Sequence, residues 1–455
     1  MLCFGQRMVA KFIQLFMGPS EGLRAKLLRG VIGGIGIKAV YLPIQFAVGV
    51  LLARMLGPEG LGVYAFVIAL VHLLVVVAQF GFPAFLVRSV AVSRAKNAFA
   101  EIKRMLVGAG QIVLLLSLTL LGIGLIWLMG YGFKGIPHSA LMAGFFLIPL
   151  LALTATTCGA IRGLGHVIVG QLSEEIIRPV TFLLVLLAFW SSGIVLSPER
   201  ALLAYGFAAF LGLALAVTLL FYRLPKLEGN TLVDTQRSQL LRQSLPFLLL
   251  AGAQVMNYQT DVLMLGLLAT QEQIGLYRVS LQVAEGLGVV LYAASLAIAP
   301  QLARLHAQGD WLNIQRILVY SHRGGALAVL PLALVLILFS GPLIAFVFGE
   351  VFRPAQGALN ILALGKIAYA TVGFSGLALS MLGRPGAATI IMLVTVGMNV
   401  VLNFVLIPRY GIEGAALATA VSQFVVNAGG ILYLWHQLDY DFSALGRRKK
   451  TIEEI

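Results

Sequence analysis

The sequence predicts an all-α polytopic membrane protein. About twelve transmembrane helices are expected, in two parallel-topology six-helix halves around a central cavity. Three observations carry that expectation. Of 455 residues, 60% are hydrophobic and only 11% charged, a balance foreign to soluble domains. The apolar residues fall into runs of about 20, the length that crosses a bilayer as a helix. Turn motifs recur in the same order in the two halves of the chain.

Taken in order, a basic lead-in over 1–30 holds Arg7, Lys11, Arg24, Lys26 and Arg29 and shows no convincing cleavable signal. The N-terminal half, 31–222, then contains spans near 31–53, 61–82, 105–129, 139–160, 167–190 and 201–222. A polar segment, 223–244, carries Pro225 and Gly229 and reads as a cytosolic linker. The C-terminal half, 245–436, contains spans near 245–268, 277–303, 317–340, 358–382, 389–407 and 413–436, and a cytosolic tail follows over 437–455. The repeat is legible in the turns. Glu59-Gly-Leu-Gly62-Val-Tyr64 follows the first span and Glu272-Gln-Ile-Gly275-Leu-Tyr277 the seventh. Pro83 to Arg88 is echoed by Pro300 to Arg304, and Arg162-Gly-Leu-Gly165 by Gly383-Arg384-Pro-Gly386. Each repeat is an even number of spans from its partner, so the halves have parallel topology and relate by an axis along the membrane normal.

Charge sets the orientation. Twenty-two of the 32 basic residues fall at the ends shared by the two termini: the clusters Arg7–Arg29, Arg88–Arg104, Arg223–Arg242, Arg304–Arg316 and Arg447–Lys450, with Arg162 and Arg384. Six lie at the opposite ends: Arg54, Lys134, Arg200, Arg278, Arg353 and Arg409. Basic residues collect on the cytoplasmic side, so both termini are expected in the cytosol, within the cytoplasmic (inner) membrane. The same bias accounts for most of the net charge of +14 without a nucleic-acid partner. Cys3 and Cys158 are too few and too far apart for a disulfide framework, and the six histidines form no metal-ligand cluster. Gly33-Gly-Ile-Gly36 lies inside a span and follows no strand, so it is not a nucleotide loop. No cofactor is expected.

The chain is organised around Asn399-Val-Val-Leu-Asn403-Phe-Val-Leu-Ile-Pro408-Arg-Tyr-Gly411-Ile-Glu413-Gly414-Ala-Ala-Leu-Ala-Thr419. Pro408 is expected to end one helix and Gly411 and Gly414 to turn the chain. Glu413 then falls at the positive end of the next helix, whose small residues permit close packing. Asn399 and Asn403 share one helix face. This stretch resembles the signature of the prokaryotic polysaccharide transporters, the lipid-linked oligosaccharide flippases of the multidrug/oligosaccharidyl-lipid/polysaccharide superfamily. Ala53-Arg-Met-Leu-Gly57-Pro58-Glu59, Ile161-Arg162-Gly-Leu-Gly165, Thr260-Asp261-Val-Leu-Met-Leu-Gly266 and Phe348-Gly349-Glu350-Val-Phe352 are similar to that family as well. The resemblance implies transport of an undecaprenyl-pyrophosphate-linked oligosaccharide, an O-antigen or exopolysaccharide unit, from the inner to the outer leaflet by alternating access. It implies no enzyme activity, and as partners the lipid-linked substrate, membrane lipids, a proton or sodium coupling ion, a polysaccharide polymerase and glycosyltransferases.

Polar groups inside spans point to the site, since each is costly there unless paired or hydrated. Lys38, Glu174, Glu175 and Arg323 are expected in an inner layer, roughly 12 Å deep at 1.5 Å per residue. Asp261, Glu285 and Lys366 are expected in an outer layer at similar depth, with Lys366 neutralising a carboxylate. Arg178 falls at mid-span before Pro179, with Glu174 expected as its resting partner; its guanidinium suits a pyrophosphate. Gln254, Asn257, Tyr258, Asn399 and Asn403 are expected to line the cavity, although such amides equally serve helix–helix contacts. The head-group set is therefore Arg178, Lys38, Arg323 and Lys366, and the coupling set Asp261, Glu285, Glu174 and Glu175. His322 beside Arg323 is a further titratable group. The competing reading is a cation-coupled multidrug exporter of the related extrusion family, which the buried cations oppose. A membrane-bound glycosyltransferase or ligase is opposed by the short outer loops, and a scaffold without transport by the buried charges.

Overall fold

The computed structural model describes residues 23–133, 135–224, 237–438, 441, 442 and 446, with side chains from Gly36 onward. Most of the lead-in, Lys134, most of the linker and most of the basic tail lie outside the described residues. The described elements are helical, which pairs most backbone groups within their own segment, as a bilayer demands.

The N-terminal half begins with α1 (Leu23–Gln79), then α2 (Phe82–Ala95), α3 (Phe99–Gly130), α4 (His138–Phe145) and α5 (Leu147–Gly163). It ends with α6 (Val169–Leu172), a π-helical turn (Ser173–Ile177), α7 (Arg178–Ser191) and α8 (Pro198–Arg223). The C-terminal half repeats the plan with α9 (Arg237–Leu268), α10 (Gln271–Ala307) and α11 (Trp311–Phe348). A 3-10 turn (Glu350–Ala355), α12 (Gln356–Ala370), α13 (Ser375–Met381) and α14 (Pro385–Leu438) complete it. Among the described residues, eight stretches are long and apolar enough to cross a membrane. Gly36–Ala95 and Pro385–Gln437, at 60 and 53 residues, have the length of two crossings at about 20 residues each. Leu115, Ile126 and Met129 on α3 are 63%, 71% and 89% exposed; lipid, not water, is the solvent such a face fits.

The expected spans one and two are thus one element, α1, broken only at Gly57 (φ 66°, ψ −179°). The last two spans are likewise α14, broken at Gly411 (φ 56°, ψ −129°). Pro408 does not end its helix, against expectation: the helix runs through it to Gly411. A proline near a helix end removes one hydrogen bond, whereas the reversal itself needs a positive φ that glycine adopts freely. Beyond the reversal Gly414 rests on the Leu406 carbonyl, where a Cβ would collide. Gly193 (φ 66°) and Gly165 (φ 84°) bracket the fifth span as Gly411 and Gly383 (φ 76°) bracket the eleventh.

We call the end that holds Gly57, Gly193 and Gly411 distal. One buried core runs through the N-terminal half and across the seam at this end, joining Phe66, Phe82, Leu147 and Phe182 to Tyr277, Phe348 and Ala415. A second, with Leu302, Leu318, Phe374 and Leu379, fills the proximal part of the C-terminal half and includes Phe442. Gln315 Nε2 donates to Asp441 O at 2.9 Å, fixing the start of the tail there. Asp310 begins α11 by accepting from Asn313 Nδ2 (2.7 Å) and Asn313 N (3.1 Å), and these donors hold its carboxyl below the usual range. His322 serves the fold too: its buried ring accepts from Phe374 N at 3.3 Å and so begins α13.

The charge bias predicts the distal end outside. A topology reporter fused at Lys226 should read cytosolic and one fused at Arg353 external; the same side for both contradicts the twelve-span arrangement.

Candidate functional site

Polar side chains within the spans gather into one cluster in each half. In the C-terminal half α9, α10 and α14 converge on Asp261, which is 8% exposed. Its Oδ1 accepts from Asn403 Nδ2 at 2.8 Å and Asn399 Nδ2 at 3.0 Å. Its Oδ2 accepts from the Tyr277 and Thr419 hydroxyls, each at 2.5 Å. Thr419 in turn accepts from Asn399 Nδ2 at 3.1 Å, which leaves its own proton for Asp261. All four partners donate and none is charged, so the shell is complementary to the ionised carboxylate. Asn403 also donates to Asn399 Oδ1 (3.0 Å), while its own Oδ1 is buried without a partner.

Magnitudes decide what this cluster does for the fold. An aspartate at the centre of a membrane helix costs about 3 kcal/mol on insertion scales. Interhelical hydrogen bonds in membranes average about 0.6 kcal/mol, so four return roughly 2.4 kcal/mol. The charge is offset with no surplus, and a cation bound beside it would add what the neutral donors do not.

In the N-terminal half the cluster forms around the π-helical turn. Pro179 has no N–H for the Glu175 carbonyl, and its ring would crowd that carbonyl in a regular helix. One extra residue relieves this: Arg178 N reaches back five residues to Ser173 O. The insertion rotates the preceding carboxylates. Glu175 Oε1 pairs with Lys38 Nζ at 3.0 Å, and Glu174 stays within electrostatic reach of Arg178 without closing the direct ion pair expected of the two. Arg178 instead lies 5.7 Å from the centre of the Tyr205 ring. Phe182 meets Tyr205 edge to face (5.2 Å) and stacks with Tyr64 (6.4 Å). Lys38 covers the Tyr41 ring at 4.9 Å, and the Tyr41 hydroxyl accepts from Gln45 Nε2 at 2.9 Å. Arg162 Nε, Gln171 Oε1, Ser173 Oγ and Glu175 Oε2 are buried around this turn without partners. Tyr64 and Tyr277, which close the two copies of the repeated motif, therefore have charged neighbours of opposite sign: Arg178 and Arg278 near the first, Asp261 bonded to the second.

The remaining expected residues divide. Gln254, Asn257 and Tyr258 are exposed on the α9 face that leads to buried Asp261, so this face passes from open wall to closed core. Asn399 and Asn403 were expected to line the cavity; both are buried and turned to Asp261. The outer layer is not a charge-paired set. Glu285 is exposed on α10, and Lys366 sits 5.8 Å from the Tyr369 ring centre, within electrostatic reach of Glu285 but not ion-paired with it. Arg323 is exposed on α11. Among the described residues, no three His, Cys, Asp or Glu side chains form a metal-binding group. Sequence reasoning missed Tyr277, Thr419, Tyr205 and the His72–Gln259 contact (3.1 Å) that bridges the halves. Tyr277 was signalled by its place in the repeat; Thr419 was read only as a small packing residue.

Tyr277→Phe removes one donor from the buried carboxylate, at a cost of about 1–3 kcal/mol. The melting temperature in detergent should fall by several degrees, while Tyr292→Phe, at a 48% exposed position, should leave it unchanged. Equal melting of both variants contradicts the role given to Tyr277.

Comparison with known proteins places this geometry. Residues 27–306 match the family described as polysaccharide biosynthesis protein, and residues 246–405 match MatE. A relative from Haloferax volcanii, the probable low-salt glycan biosynthesis flippase Agl15, is 32% identical over 167 residues, 37% of this chain and 35% of that protein. The chain thus matches about a third of that relative's length. Among solved structures, an inward-facing multidrug resistance transporter of the MATE family superposes with a TM-score of 0.69 at 14% identity, covering 90% of this chain and 98% of that one. The lipid II flippase MurJ in its inward closed conformation gives 0.68 at 15% identity, covering 90% and 87%. At such identities the superpositions speak for the fold; the match over 27–306, more than half the chain, speaks for kinship. The chain belongs to the polysaccharide biosynthesis protein family.

Proposed function

We propose that this protein is a flippase that moves an undecaprenyl-pyrophosphate-linked oligosaccharide, an O-antigen or exopolysaccharide unit, from the inner to the outer leaflet of the cytoplasmic membrane. The observation that carries the reading is Arg178, a guanidinium inside a span that lies over the Tyr205 ring and closes no ion pair among the described residues, with Glu174 within electrostatic reach. An arginine held so keeps its planar donors for an anion, and a pyrophosphate takes two parallel hydrogen bonds from them. Lys38, held by Glu175, is an ammonium on the same side, and Tyr41 and Tyr205 offer ring faces to sugars. The polyprenyl tail stays in lipid while the head group passes the seam between the halves. Glycosyltransferases supply the substrate and a polymerase receives it.

Asp261 supplies the coupling. Its shell surrounds a carboxylate with neutral donors and, among the described residues, no ion-paired cation, beside the unpartnered Asn403 Oδ1. A proton or sodium ion fits that deficit. Because α9, α10 and α14 all contribute, binding there favours whichever state keeps the three together, and an ion gradient biases the cycle. The MatE match supports a second reading, a cation-coupled drug exporter, since Asp261 lies within the matched segment. Arg178, which closes no ion pair among the described residues, disfavours it, as a guanidinium repels cationic cargo.

Arg178→Ala should lower glycan export per membrane-inserted molecule by about tenfold or more, the size of a lost charge-assisted contact. Arg178→Lys should retain part of it, because a point charge lacks the planar fork. Normal export per molecule in Arg178→Ala removes the head-group role. Asp261→Asn should keep protein abundance yet make residual export insensitive to collapse of the proton and sodium gradients; undiminished gradient dependence removes the coupling role.

A further inference from the structure

The repeated motif has a structural use that transport chemistry does not require. Gly62 in α1 and Gly275 in α10 are both buried, and they face one another at the distal end of the seam. A Cβ on Gly62 would collide with the carbonyl of Gln271 and stand 3.1 Å from Gly275 N. A Cβ on Gly275 would collide with the carbonyl of Pro58 and stand 3.1 Å from Gly62 N. Each glycine therefore lies over the carbonyl four residues before the other. This is the reciprocal contact that a two-fold axis produces, and the repeat supplies the axis. The helices cross backbone to backbone, as small residues permit, with no side chain between them.

A second contact locks the same end. Arg54, just before the Gly57 break, reaches across the seam to the last turn of α11. Its Nη2 donates to Phe346 O at 2.6 Å and its Nε to Val347 O at 2.8 Å. Those carbonyls end a helix, so they lack intrahelical donors and carry the negative end of its dipole. The guanidinium satisfies both. No comparable approach is made at the glycines nearer the proximal end: a Cβ placed on Gly36 of α1 or on Gly286 and Gly288 of α10 would meet nothing within 4 Å.

We infer that Gly62 and Gly275 are the closing surface of the distal gate and that Arg54 is its latch, so that these three residues set which side of the membrane the cavity faces. The inference rests on the transporter reading but on no particular cargo. Opening must separate two backbones that share no side-chain interlock and break two hydrogen bonds. Exchanging either glycine for alanine wedges the surfaces apart, and removing Arg54 frees the α11 terminus.

The test reads the gate without substrate. Ala69, 1% exposed, lies two helical turns beyond Gly62 on the face that carries His72 to Gln259. In a Cys3→Ser, Cys158→Ser background, Ala69→Cys is labelled on intact cells with a membrane-impermeant maleimide. Gly62→Ala and Gly275→Ala should each raise external labelling by about tenfold, the population shift an overpacking clash produces. Arg54→Ala should raise it as well, by less. Gly130→Ala, at a distal position with open space around it, should not change it. Unchanged labelling in both glycine variants at normal abundance overturns the gate and leaves the flippase reading standing. If the glycine variants fail to accumulate, Arg54→Ala decides: external labelling no higher than the parent's overturns the proposal. Raised labelling together with undiminished export of a non-glycan cargo sustains the gate and contradicts the flippase reading instead.

Discussion

A carboxylate inside a bilayer has to be answered, and much of the C-terminal half is arranged to answer Asp261. Four donors from two further elements point at its two oxygens. Their number is fixed by solvation: fewer would leave the charge exposed to hydrocarbon, and a basic partner would cancel it. The α14 hairpin follows from the same need, since Asn399 and Asn403 precede the Gly411 reversal and Thr419 follows it. Only a tight reversal returns the chain to the same carboxylate. The close approach of Gly414 to the Leu406 carbonyl keeps the two limbs near enough for both to bond it.

The N-terminal half solves a different problem with the same plan. Where one half holds an anion among neutral donors, the other holds a guanidinium against aromatic rings. Its π-helical turn is the cost of Pro179, and it moves Glu175 to Lys38 while leaving Arg178 to Tyr205. The repeat therefore supplies two pockets at related positions, and divergence has given them opposite charge. The proposed cargo and coupling ion would use such a division: a pyrophosphate held in one half and a cation sensed in the other, across the seam between them.

Much of this was legible in the residues. The spans, the repeat and the polar groups within them follow from hydropathy and spacing, because burial in lipid constrains composition strongly. Asn399, Asn403 and Asp261 stood out as polar where apolar residues belong. Their mutual contact did not, because spacing along one helix says nothing of which neighbour its face meets. Glu174 reaches Arg178 electrostatically but not as a direct ion pair, and the reason is local: four-residue spacing assumes a regular helix, and a π-turn adds a residue. Pro408 misled because a proline is tolerated near a helix end whereas a reversal needs glycine. Gly62 and Gly275 were visible as a motif, but their reciprocal contact appears only when the repeat is folded about its axis.

We propose that Arg178 and Asp261, on either side of a seam, together move a pyrophosphate-linked glycan between leaflets. The most direct measurement reconstitutes the purified protein in liposomes with a fluorescent polyprenyl-pyrophosphate-linked oligosaccharide confined to one leaflet. Arrival in the other leaflet is followed by the accessibility of the glycan to an impermeant glycosidase. Transfer should need the intact protein, accelerate with a proton or sodium gradient, and be lost when the pyrophosphate is replaced by a neutral linker. Equal transfer of the neutral-linked glycan, or none with the pyrophosphate form in liposomes that export a cationic drug, would contradict it.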